Sequence, residues 1–204
     1  MPSIHYPPDT HKRLIRRRRK SGRDRYDETW DGVYVMSPEA DLDHQELSTS
    51  LASALIQATE SQPRHRIYSG ANVSDRSKGW TENYRVPDVA VFSPGNPAEK
   101  RKAYWLGGPD FAVEVVSEGD RSREKFEFYA KVAVRELLLV DRDPWRLELY
   151  RNHGEELVLA GTFILGDVQS LKSIVLPVSF RLIDDEERPM IVVTQTVDGR
   201  TWTC

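Results

Sequence analysis

Two acidic side chains stand where acids are expensive. Asp88 follows Pro87 at the head of the apolar run Val89-Ala90-Val91-Phe92, and Glu114 lies inside Phe111-Ala112-Val113-Glu114-Val115-Val116. A carboxylate in such a run is costly unless it is paired, protonated or bound to a metal. If the two runs are neighbouring strands, Asp88 and Glu114 converge on one divalent cation, and hard oxygen ligands suit Mg²⁺ or Mn²⁺. The structural alternative is that Glu114 pairs with an arginine and Asp88 caps a turn. A helix over 121–134 would place Arg121, Lys125 and Tyr129 on one face, at i, i+4 and i+8. Phe126, Ala130 and Ala133 would then pack on the sheet. That helix starts five residues after Val116, so Lys125 can point back to Glu114. Two carboxylates holding a metal beside a lysine suit phosphodiester hydrolysis. The metal polarises the phosphate and lowers the pKa of an attacking water. The ammonium stabilises developing negative charge or orients the water. Arg121 would bind phosphate, with Arg123 as a further local cation, and Tyr129 would position Lys125 or a water. A solvated lysine on a helix surface is the alternative for Lys125.

The elements that must position these groups are readable as patterns. Trp30, Val33, Val35 and Met36 suggest a short strand around the Asp31-Gly32 turn. Apolar residues at Leu47, Leu51, Ala54, Leu55 and Ala58 have helical spacing, with Asp41 or Asp43 as cap and Pro63 beyond. Runs at 86–92, 111–116 and 136–141 read as buried strands, the last one central in a sheet covered on both faces. Strands also fit 66–73, 147–150, 157–160, 174–176 and 191–193. Asp120 and Ser122 are candidate caps for the helix over 121–134, and 184–188 reads as an acidic loop. This order predicts an α/β or α+β domain with a mixed β-sheet flanked by helices. His44 stands at the start of the first long helix, followed by Gln45 and Glu46. It either contacts a phosphate or metal-bound water there, where a helix N-terminus favours an anion, or caps locally. Trp80, Tyr84 and Trp105 either stack on bases or cover a sheet edge.

The 204 residues suit a single domain with a sizeable core. With 39% hydrophobic and 30% charged residues the chain is not of disordered composition. No apolar run approaches a membrane span, and the basic N-terminus lacks the apolar segment of a secretory signal. The one cysteine, Cys204, excludes a disulfide framework and a cysteine zinc site. A soluble, cytoplasmic protein is the expectation. The net charge of −3 is a sum of opposites. Residues 1–28 hold nine basic residues against four acids, a balance of +5, which leaves −8 for the rest. Residues 1–25 therefore read as a flexible or extended basic arm, either a solubilising tail or a contact to nucleic acid. Loops for nucleotides, a serine-hydrolase elbow and zinc-spaced histidines do not occur.

Several segments resemble the Uma family in its own order. They are Trp30-Asp31-Gly32-Val33-Tyr34-Val35-Met36-Ser37-Pro38, Asp43-His44-Gln45-Glu46, Val86-Pro87-Asp88-Val89-Ala90-Val91, Gly108-Pro109-Asp110-Phe111-Ala112-Val113-Glu114-Val115-Val116-Ser117 and Arg121-Ser122-Arg123-Glu124-Lys125-Phe126. The stretch from Tyr129-Ala130 to Leu139-Val140-Asp141 completes the likeness, which spans residues 26–180. This resemblance implies a restriction-endonuclease-like fold of the PD-(D/E)XK superfamily, endonuclease activity on DNA and Mg²⁺ as cofactor. Pro87-Asp88 then matches the PD and Glu114 the (D/E). Val116 falls where the superfamily lysine would be, and Lys125 matches the family's lysine in the following helix. Val33 stands where many members carry Glu. Those two departures keep a second reading open, an inactive nuclease-fold module that binds nucleic acid or a protein. The expected organisation is an arm over 1–25, the nuclease-like domain over 26–183 and an extension over 184–204 serving as an edge strand or loose tail. A homodimer is one way to gather positive charge, with Arg121, Arg123 and Lys131 as local sources. A second Pro-Asp at Pro109-Asp110 competes with the first. Asp110 lies four residues before Glu114, roughly 13 Å along an extended strand, too far to share a metal with it.

Overall fold

A computed structural model of the protein describes residues 8–37, 41–117, 119 and 121–204. The loop expected at 38–40 and the cap expected at Asp120 lie outside these residues. The chain begins with α1 (Pro8–Ser21), β1 (Glu28–Trp30), β2 (Val33–Val35), α2 (Leu42–Ala58), β3 (Arg66–Ser69), β4 (Val73–Ser74) and β5 (Tyr84–Arg85). It continues through β6 (Val89–Phe92), β7 (Glu99–Lys100), β8 (Trp105–Leu106), β9 (Phe111–Val115), α3 (Phe126–Lys131), β10 (Glu136–Arg142) and β11 (Trp145–Asn152). It ends with β12 (Leu157–Ile164), β13 (Leu171–Lys172), β14 (Val178–Ile183), β15 (Met190–Gln195) and β16 (Thr201–Thr203). The central sheet has the order β12-β11-β10-β9-β6-β3, with β9 and β10 parallel and the other pairs antiparallel. A second sheet runs β2-β1-β5-β4-β8-β7 and a third β13-β14-β15-β16. No helix among the described residues is long and apolar enough to cross a membrane.

Strand alternation sorts the central side chains between two cores. Phe111, Val113 and Val115 of β9, with Leu138 and Val140 of β10, pack against Leu47, Leu51 and Leu55 of α2 and Phe180, Ile191 and Val193 of the third sheet. Ala112 and Leu137 point the other way, to Phe128, Tyr129, Val134 and Trp105. Coverage on both faces makes 137–140 a continuous apolar run. It also puts Glu114, next in alternation after Ala112, on the α3 side.

Four local expectations are corrected. The arm is not irregular over its described part. Pro8 in the first turn and Gly22, at φ +70°, just past the last turn bracket a helix, and the run between them is rich in good helix formers. The helix expected over 121–134 is a 3₁₀ turn, Ser122–Lys125, followed by six α-helical residues. It closes through Val134 N–H on Tyr129 O at 2.9 Å, with Ala133 at φ +63°. The strand expected at 174–176 is a bend; Leu176 is apolar because it is buried in the core, not because it is extended. The segment 184–204 is neither loose nor merely an edge, since β15 lies between β14 and β16. Gln195 Nε2 there donates to Ala58 O at 3.0 Å.

Candidate active site

Register brings the two acids together. Val89 faces Val113 and Ala90 faces Ala112 across β6 and β9, so one step further Asp88 faces Glu114. Such cross-strand neighbours have Cβ atoms about 4.5–5.5 Å apart. Asp88 Oδ2 accepts the Val115 N–H at 2.8 Å, and Oδ1 faces His44 Nε2 at 2.8 Å. Asp88 is 8% exposed and Glu114 2%.

The 3₁₀ turn then aims its residues. At three residues per turn Ser122 and Lys125 lie on one line, and the α-turn that follows adds Tyr129 at i+4. Lys125 Nζ lies 3.0 Å from both oxygens of Glu114, Tyr129 donates its hydroxyl to Oε1, and Ser122 Oγ is 3.5 Å from Oε2. Arg121 and Arg123 point away from this line. Arg121 pairs with Glu124 and lies 4.3 Å over the Trp30 ring, and Arg123 reaches Glu148 at 2.7 Å. Asp88, Glu114, Lys125, Tyr129 and His44 are thus gathered, with Arg121 at the rim and Arg123 tied down elsewhere.

Glu28 is the residue that the sequence reading missed. It is 2% exposed, and its Oε1 lies 3.1 Å from Lys125 Nζ and accepts the Val86 N–H at 2.8 Å. Its Oε2 accepts the Trp30 indole N–H at 2.6 Å. Val33, by contrast, is 65% exposed, so the early segment supplies its carboxylate from β1. Arg85, also missed, is buried between the Trp30 and Phe128 rings and donates to Thr29 O and Asn83 Oδ1. The sequence signal for Glu28 is its place two residues before Trp30, at the head of a short strand.

Burial and the neighbouring charges together set the direction in which these groups shift. Burial pushes the Glu114 carboxyl up to about 8; Lys125 opposes this, while Asp88 and Glu28 add to it. Burial lowers Lys125, but Glu114, Glu28 and Asp88 outweigh it and hold the ammonium well above its usual range. Tyr129, buried against the same carboxylates, stays a phenol. Burial pulls His44 down, yet the hydrogen bond and charge of Asp88 leave it raised. Its other nitrogen, Nδ1, is 3.1 Å from Ser117 Oγ, so the ring is held at both ends.

The remaining expected contacts have other partners. The α2 N-terminus carries the chain's own anion, since Asp41 accepts the His44 N–H at 2.7 Å and is gripped by Arg142 at 2.9 and 3.0 Å. Glu46 lies 3.4 Å from Arg188. Trp80 stacks on Tyr104 and meets Tyr84 edge-on, and Trp105 is buried against Phe92, so these rings cover the second sheet. Asp110 sits at the far end of β9, accepting from Ser93 N–H and Asn96 Nδ2, each at 2.8 Å.

Comparison with known proteins bears on the fold and the family. The chain is similar over 72% of its length, and 80% of the other chain, to the crystal structure of a putative nuclease belonging to DUF820 from Anabaena variabilis ATCC 29413, with a TM-score of 0.58 and 18% identity. At that identity the likeness speaks for a restriction-endonuclease-like fold. No curated protein matches the chain. The model of the Uma2 family, described as putative restriction endonuclease, matches residues 14–182, a span that includes every residue of the cluster. The chain belongs to the Uma2 family.

Proposed function

We propose that the protein is a metal-dependent endonuclease that hydrolyses phosphodiester bonds in DNA. The observation that carries this reading is the cross-strand pair of Asp88 and Glu114 with Lys125 bridging both Glu114 oxygens. The donor set fits a hard divalent cation. Among the described residues each Asp88 oxygen has one hydrogen-bond partner, and a carboxylate oxygen can accept about two. Burial is the main cause that raises the Glu114 carboxyl, and the charges of Asp88 and Glu28, which a cation would offset, add to it. Among the described residues no group of three His, Cys, Asp or Glu is arranged to hold an ion, but Mg²⁺ is commonly held by one or two carboxylates plus waters. Asp88 and Glu114 would hold it; when bound it supplies a Lewis acid and an activated water at the phosphate. The chain's own residues do the rest. Lys125, permanently charged, cannot act as a base and instead stabilises charge developing on phosphate oxygens. Tyr129 and Ser122 orient Glu114, and His44 orients Asp88.

A second reading, a module that binds without cutting, is favoured by one fact: Lys125 and Tyr129 already occupy the Glu114 oxygens. Plasmid nicking separates the two. The wild-type chain should convert supercoiled DNA to open circles with Mg²⁺ or Mn²⁺ and stop when the metal is chelated. Absence of cleavage on both single- and double-stranded substrates would leave the binding module.

Metal binding should also be linked to protons. A carboxyl raised to about 8 must lose its proton to ligate, so Mg²⁺ affinity should rise by up to about tenfold per pH unit below 8 and level off above it. Calorimetry in two buffers of different ionisation enthalpy reads the released proton. A pH-independent affinity with no proton release would show that Glu114 is not a ligand.

A further inference from the structure

We propose that α1 is a clamp for the phosphate backbone of duplex DNA, docked beside the Asp88–Glu114 pair. The proposal rests on the nuclease reading and names how that site would hold its substrate. At 3.6 residues per turn, Lys12, Arg13, Arg16, Arg17, Arg19 and Lys20 share one arc of about 160°, and all six are exposed. Leu14, Ile15 and Arg18 occupy the opposite side and are half-buried. The helix therefore turns one face to the body and presents its cations outward.

Arg18 is the latch. Its Nε and Nη2 fork onto Asp27 Oδ2 and Oδ1, each at 2.6 Å, and Nη2 also donates to Ser37 O at 3.0 Å. Asp27 is buried, and the next residue is Glu28, whose carboxylate touches Lys125. The anchor of the basic helix is thus one residue from the catalytic cluster.

Electrostatics selects the partner. Lys12 and Arg16, Arg13 and Arg17, and Arg16 and Lys20 are like charges at i,i+4, an arrangement that destabilises a helix left alone. Among the described residues none of the six has a carboxylate partner in an ion pair. The other basic residues that were candidates for holding DNA are paired: Arg121 with Glu124, Arg123 with Glu148 and Lys131 with Asp75. From Lys12 to Lys20 the helix runs about 12 Å. A duplex carries a charge every 1.7 Å or so, about seven in that length, so six cations suit it.

The test is duplex binding by fluorescence anisotropy over a range of salt, with the full chain and a chelator present so that nothing is cut. The triple variant Arg16→Gln/Arg17→Gln/Lys20→Gln changes only exposed side chains. It should bind about tenfold or more weakly at moderate salt, and its salt slope should fall by about 2–3. Asp27→Asn removes an anion but frees the latch; weaker binding with the wild-type slope supports docking, whereas tighter binding overturns it. A triple variant with wild-type affinity and slope overturns the clamp. So does one that binds duplex normally but loses attachment to phosphatidylserine vesicles, or self-association. If that variant binds normally and the wild type nicks DNA with Mg²⁺, only the clamp fails. If the variant loses binding and the wild type never nicks, the clamp stands and the nuclease reading fails.

Discussion

Glu114→Gln is expected to cut Mg²⁺-supported nicking by about three orders of magnitude and yet to raise thermal stability. The two effects share one cause. Glu114 is buried beside Asp88 and Glu28, with Lys125 shared between Glu28 and Glu114. A glutamine keeps an acceptor for Tyr129, leaves Lys125 paired with Glu28, and removes the excess charge. The sign with pH follows from the direction of the shift. A carboxyl raised in the folded state contributes stability below its unfolded pKa and loses it as pH rises through about 8. In metal-free buffer the gain should therefore build up from about pH 4.5, be partial at pH 6 and level off at its full size of a few degrees at pH 8 to 9. Asp88→Asn should lose nicking to the same extent. Differential scanning fluorimetry beside the plasmid assay reads both. If Glu114→Gln lowers stability and leaves nicking intact, the residue is a structural ion-pair partner and the site lies elsewhere.

Most of this site was legible because its signals are local. An acid inside a β-branched run is anomalous within five residues of sequence, whatever the fold does later, and this marked Asp88 and Glu114. Lys125 and Tyr129 were found by helical spacing although the turn between Ser122 and Lys125 is 3₁₀, because the step from Lys125 to Tyr129 keeps the α-helical i,i+4 relation. Glu28 and Arg85 were not legible for the opposite reason. Glu28 sits in a three-residue strand with no periodicity to read, and its partners Val86 and Lys125 are brought to it only by the second sheet. The same distinction holds for the arm. Its charges were plain, but the contact that makes it a docked helix is Arg18 on Asp27, and composition does not reveal which of seven neighbouring cations turns inward. At 174–176 the apolar letters suggest a strand, while the chain uses Leu176 to fill the core from a bend and turns the Ile174 N–H to Glu136.

Lys125→Met should be the most destabilising exchange in the site. The methionine fills the space of the lysine stem but leaves Glu28 and Glu114 buried with no ammonium between them. Breaking a buried ion pair from one side costs about 3–5 kcal/mol, which for a chain of this size is a melting point lower by roughly 10 °C. Wild-type Lys125 is raised, so its contribution is fully present below its unfolded value and is lost only far above neutrality. Any pH dependence of the deficit between pH 5 and 8 must therefore come from the orphaned carboxyls. Glu114, raised to about 8 even with Lys125 in place, keeps its proton across that window in both forms, so the deficit should stay level to about pH 8 and grow above it. Adding Glu28→Gln and Glu114→Gln to Lys125→Met should recover most of the stability and none of the nicking, because neutral partners need no ammonium while the chemistry does. Mg²⁺ should stabilise the single variant more than the wild type, since a divalent cation would meet the same excess charge. A solvated surface lysine makes the contrary forecast: a change within about 0.5 kcal/mol, the same at every pH, and no response to the two glutamines.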